Sequence, residues 1–147
     1  MLMRLQRYND RGINLSHNDY VYYGHLSLLR YYLKINFDVT ISKFLMDLAA
    51  GNGHLHIVKW IHFNRDEGCS HEAMDWAAED GHLDVIEWLH ENRTEGCTEQ
   101  AVLKAAGNGH LHIIKWLKNH NKITLLSNLN AQQYALAYNN TNIVTYL

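Results

Sequence analysis

From residue 41 onward, small, apolar and polar positions return on one fixed period. Gly53-His54-Leu55 recurs as Gly81-His82-Leu83 and Gly109-His110-Leu111, a spacing of 28 residues each time. Alanine pairs stand just before the glycines (Ala49-Ala50, Ala77-Ala78, Ala105-Ala106), and Trp60, Trp88 and Trp116 stand seven residues after them. Asn64-Arg65 and Glu67-Gly68-Cys69 return as Asn92-Arg93 and Glu95-Gly96-Cys97. Within the central unit, Ser70 is a helix N-cap with Glu72 in the first turn, and Ala73, Met74, Trp76, Ala77 and Ala78 predict a short helix that Gly81 ends. From His82 to Asn92, Leu83, Val85, Ile86 and Leu89 fall on one side and Asp84, Glu87 and Glu91 on the other, which predicts an amphipathic second helix. Arg93 to Cys97, with Gly96 inside it, is the corner to the next unit. A helix pair this short cannot bury its apolar face alone, so neighbouring pairs must stack into an all-α helical solenoid.

The pattern divides the chain into one array: a degenerate unit over 12–41, full units over 42–69, 70–97 and 98–127, and a partial unit over 128–147. At the N-terminal end Gly24-His25-Leu26 opens a second helix, but Asn18 to Tyr23 is too short for a full first one. At the other end Tyr134-Ala135-Leu136-Ala137 and Ile143-Val144-Thr145-Tyr146-Leu147 repeat the pattern, with Asn139-Asn140 in place of Gly-His. Capping of the array explains atypical end units. The stop inside a second helix is also what a shortened or decayed reading frame would leave.

Alanine pair, short gap, Gly-His-Leu and a β-branched pair together resemble the ankyrin repeat. Met74 falls on that family's first-helix Leu, Asp75 on its His, Ala77 and Ala78 on its alanine pair, Gly81 and His82 on its Gly-His, and Val85 and Ile86 on its valine pair. The resemblance takes in roughly residues 12 to 147. It implies an ankyrin-like solenoid of stacked helix-turn-helix repeats. The 28-residue period is shorter than the family's ~33, and no Thr-Pro turn occurs, so the projecting β-hairpin fingers should be short or absent. The Trp-bearing unit with a Glu-Gly-Cys corner is similar to divergent arrays encoded by lower eukaryotes and large DNA viruses, and abundant Asn, Ile and Tyr suit an AT-rich genome. What the resemblance implies about function is protein binding without chemistry.

Composition narrows the classes of partner. With 47% hydrophobic and 19% charged residues over 147 positions, the chain has a folding composition and the length of one domain. A formal charge of -2 provides no field for phosphate backbones or anionic membranes, so neither nucleic acid nor membrane is an expected partner. No window approaches the ~20 apolar residues of a membrane helix, and the N-terminus lacks a signal-peptide pattern. Two cysteines are too few for a disulfide framework and fit a reducing compartment. The expected location is therefore intracellular, in the cytoplasm, or in the host cytoplasm if the source is viral. A monomer is expected.

Eleven histidines raise the question of metal. His54, His82 and His110 occupy the Gly-His turn; His54 and His56, like His110 and His112, are two apart, which on a helix points them to different faces instead of making a chelate. No metal, cofactor or catalytic residue is assigned, and the chain is read as a non-enzyme. Cys69 and Cys97 fall one repeat apart, ~8–10 Å for stacked helices, beyond the ~7 Å reach of a disulfide. Stacking should align Lys59, Glu87 and Lys115 in one alternating row and His56, Asp84 and His112 in another. Trp60, Trp88 and Trp116 share one position and read as a core ladder. The variable first-helix position differs: it carries Leu48, Trp76, Lys104 and Tyr134, and this row, on the concave face, is the candidate protein-binding surface. The function expected is a protein–protein interaction module acting through that face. The alternative is a structural fragment, or decayed copy, of a longer ankyrin array with no partner of its own.

Overall fold

A computed structural model describes residues 15–36 and 41–147; residues 12–14 and 37–40, parts of the first predicted unit, lie outside the described residues. Ten helices and no strand occur among the described residues. They form five consecutive pairs: α1 (His17–Tyr22) with α2 (Leu26–Ile35), α3 (Phe44–Gly51) with α4 (Leu55–Asn64), α5 (Glu72–Asp80) with α6 (Leu83–Asn92), α7 (Glu99–Gly107) with α8 (Leu111–Asn119), and α9 (Leu125–Ala137) with α10 (Thr141–Tyr146). α1 and α10 have six residues each, so the end pairs are short where the sequence pattern fades. α9 starts at Leu125, capped by Thr124, so the last helix pair begins ahead of residue 128.

Each turn inside a pair is built the same way. His82 N–H donates to Ala77 O at 2.8 Å, closing a loop over Gly81, whose φ of +82° is left-handed. His54 to Ala49, His110 to Ala105 and Asn140 to Ala135 repeat the bond at 2.8–2.9 Å. Asn139 takes the left-handed position in the last unit with φ +60°, a conformation Asn tolerates better than most residues. Gly53 has a second constraint. A Cβ there would sit 2.5 Å from Cε1 of His82, because the histidine ring of each unit lies over the glycine of the unit before it. Glycine and histidine of this dipeptide are thus coupled across units, not within one.

The first helices α1, α3, α5, α7 and α9 pack in sequence as an inner layer, and each second helix packs on its own first helix. The alanine pairs are fully buried in that layer, and their small side chains let the helices approach. Neighbouring second helices touch only marginally. This splay has a consequence for the charges. Lys59, Glu87 and Lys115, and likewise His56, Asp84 and His112, are exposed, and none of them makes an ion pair among the described residues, contrary to the expected alternating rows. His56 and His112 instead place Nε2 3.3 Å and 3.0 Å from the carbonyls of Gly24 and Gly81 in the preceding turn, and Lys115 lies over the Tyr146 ring. Glu87→Lys should accordingly shift stability by no more than about 0.5 kcal/mol at either low or high salt, as at other unpaired surface sites. A salt-sensitive loss in thermal melts would show that the row interacts after all.

The tryptophan ladder also lies further out than expected. Trp116 is buried, but Trp60 and Trp88 are only half-buried at the rim of the core, whose centre is Ile57, Val58, Ile61, Val85, Ile86, Leu89, Ile113, Ile114 and Leu117. His62 meets Trp88, and His90 meets Trp116, edge-on at 5.1 Å and 5.2 Å between ring centres. The histidine two residues after one tryptophan therefore covers the tryptophan of the next unit.

Candidate functional site: the inner-helix row

All four candidate residues lie on first helices, Leu48 on α3, Trp76 on α5, Lys104 on α7 and Tyr134 on α9. Leu48, Trp76 and Lys104 are partly buried and Tyr134 is exposed. Three of them reach back to the helix before. Trp76 lies against Gly51, where a Cβ would stand 2.9 Å from that of Trp76, and its ring meets Phe44 edge-on at 5.9 Å. Lys104 Nζ donates to Glu79 Oε1 at 2.7 Å. Tyr134 and Tyr138 both lie against Gly107.

Gly51, Glu79 and Gly107 are themselves 28 residues apart, so they are one repeat position. Where this position is glycine the next unit answers with an aromatic ring, and where it is glutamate the next unit answers with lysine. The row is thus a set of matched contacts between units as well as a surface. Its charge is balanced locally: the bond to Glu79 holds the Lys104 ammonium above its ordinary pKa, and the phenols of Tyr134 and Tyr138 act in the same direction more weakly. Phe44, Glu79 and Tyr138 complete the strip and were not singled out by the sequence pattern. The shared position of Gly51, Glu79 and Gly107 was the signal that could have found them.

Beneath the strip, each first helix is tied to the next by an aspartate. Asp47 accepts from Ser70 N–H at 2.8 Å and Ser70 Oγ at 2.9 Å, and Asp75 accepts from Thr98 N–H at 2.8 Å and Thr98 Oγ1 at 2.5 Å. Ser70 and Thr98 in turn cap α5 and α7, accepting from Glu72 N–H and Gln100 N–H. Both aspartates are buried. Burial pushes the Asp47 carboxyl up and the two Ser70 donors pull it part of the way back. The folded form of Asp47 therefore takes up a proton more readily than the unfolded chain does. Its stabilising share is fully present below the unfolded pKa and is lost as pH rises through the folded one.

The histidine pairs depart from expectation. His54 and His56 lie 6.0 Å apart between ring centres, and His110 and His112 lie 5.8 Å apart, each pair side by side. The reason is that His54 and His110 precede their helices, with ψ of 63° and 67°, so the helical spacing rule does not apply to them. His54 Nε2 is already occupied, donating to Tyr22 O at 2.9 Å. No three His, Cys, Asp or Glu side chains converge among the described residues. Cys69 and Cys97 are free, as the spacing predicts, and burial pushes the Cys69 thiol up to about 11.

No described helix is long and apolar enough to cross a membrane. Comparison with curated proteins finds no match. Residues 74–117, from the middle of α5 to the end of α8, match the family described as ankyrin repeats (many copies), whose members as a class mediate protein–protein interaction and are typically non-enzymatic. With the same Gly-His turn, alanine pair and stacked helix pair recurring on both sides of that stretch, the units of this chain are ankyrin repeats.

Proposed function

We propose that the chain is a non-enzymatic protein-binding module that engages its partner through the concave face formed by Leu48, Trp76, Lys104 and Tyr134, inside the cell and in the cytoplasm. The observation that carries this reading is the open aromatic strip on the inner helices. Phe44 and Tyr134 are each 42% exposed, Trp76 stands partly open beside Phe44, and Tyr138 extends the strip beyond Tyr134. Trp and Tyr are the side chains most enriched among interface hot spots, because they bury large area with few rotatable bonds. Lys104, already neutralised by Glu79, adds a polar point without an uncompensated charge. The two free cysteines fit a reducing compartment.

One observation favours the other reading. Trp76, Lys104 and Tyr134 each contact the preceding unit, which is what stacking alone would require of a structural piece of a longer array without a partner of its own.

The two readings separate in a binding experiment. The partner is recovered from the native cell with the tagged chain, identified by mass spectrometry, and titrated against wild type and a Phe44→Ala/Tyr134→Ala double variant. Both residues are exposed, so the double variant is expected to melt close to wild type while binding at least tenfold more weakly, ~1.4 kcal/mol. Unchanged affinity in a folded double variant, or no stoichiometric partner, would sink the concave-face reading.

A further inference from the structure

The last helix pair ends the array with a face that the inner pairs keep buried. Three residues before each left-handed turn residue stand Ala50, Ala78 and Ala106, all fully buried, and in α9 the same position is Leu136, 58% exposed. Seven residues before the turn, Met46, Met74 and Val102 are buried, and α9 carries a half-buried Gln132. Leu125 and Leu129 continue the line at 80% and 53% exposure. Positions 125, 129, 132 and 136 are one stripe of an α-helix. An array end that faces water normally presents polar residues there. This end is also without charge: residues 123–147 contain no Asp, Glu, Lys, Arg or His.

We propose that this face is a self-association surface, on which two copies of the chain pack α9 against α9 in antiparallel fashion about a two-fold axis. Three features select a second copy as the occupant. The face extends the interface by which the units already stack, so its shape and chemistry are those of a buried helix contact. A neutral segment offers no charge to select an oppositely charged protein, and two copies meet without repulsion. The stripe is also self-complementary. The pairs Leu125 with Leu136 and Leu129 with Gln132 share one midpoint, between Asn130 and Ala131. A two-fold axis there sets Leu125 of one copy opposite Leu136 of the other, and Leu129 opposite Gln132, whose amide can both donate and accept. A 13-residue helix is about 20 Å long. One such helix buries less than the ~800 Å² per partner of a standard interface, so the dimer is of the weak, reversible kind. This surface is separate from the concave row and does not depend on it.

Sedimentation velocity of the full 147-residue chain tests the proposal. Across about 1–300 μM the wild type should pass from monomer to dimer with a micromolar dissociation constant. Leu129→Glu places two carboxylates beside the axis and should raise that constant at least tenfold. Leu129→Lys alone should do the same, and an equimolar mixture of the two variants should restore a dimer that weakens with salt. Leu129 is exposed in the single chain, so helical content and melting temperature of the dilute variants serve as the folding control. Leu136→Gln supplies a second, uncharged route to the same loss. A wild type that stays monomeric, a dimer untouched by Leu129→Glu, or a mixture that does not re-form one would each overturn the proposal.

Discussion

Asp75→Ala should lower the stability of the chain by about 2–4 kcal/mol, because the truncation leaves the backbone N–H and hydroxyl of Thr98 without the acceptor they use between α5 and α7. Asp75 is only 5% exposed, so water replaces the lost carboxylate poorly. The damage should spread. Thr98 caps α7 through Gln100 N–H, and a hydroxyl released from Asp75 is free to leave that position. In a chain of this size the loss corresponds to roughly 5–15 °C in melting temperature. Asp75→Asn keeps one acceptor for the Thr98 N–H and should recover part of the loss. Differential scanning calorimetry of the two variants checks both statements. An alanine variant that melts within a degree or two of wild type would mean that the aspartate tether is not formed in solution.

Leu89→Ala is the second large effect, expected at about 2–5 kcal/mol, since Leu89 is almost fully buried among the second-helix core residues. Its neighbour provides the contrast. Trp88 is larger but half-buried, with one face open and one edge against His62, and Trp88→Ala should cost less than Leu89→Ala despite removing more atoms. Denaturant titrations of the two variants under one set of conditions give the order directly. The reverse order would place the tryptophans in the centre of the stack and rotate α4, α6 and α8 away from the packing described here.

Much of the fold was legible in the residues because its signals are local. A glycine able to take positive φ, the N–H of the next residue bonding back across the turn, and apolar residues every three or four positions are properties of one unit, and each is visible in 28 residues. The helix pairs, the all-α class, the missing fingers and the unpaired corner thiols followed from them. The row Leu48, Trp76, Lys104 and Tyr134 was legible as a variable position on first helices. Its second role was not. Contact between Trp76 and Gly51, or between Lys104 and Glu79, depends on how closely two helices from different units approach, and that distance is set by what the whole inner layer buries.

The same cause explains the errors. Equivalent residues in successive units are neighbours only where the helices touch. The alanine pairs draw the first helices together, so Asp47 reaches Ser70 and Asp75 reaches Thr98 across units. The second helices splay, so Lys59, Glu87 and Lys115 share a repeat position without meeting. His54 and His56 come side by side because one of them lies just outside the helix. Repetition in the sequence by itself determined what each unit is, whereas the tertiary structure alone decided which repeated positions touch, because a period fixes the order of residues along the chain and only packing fixes the distance between its turns.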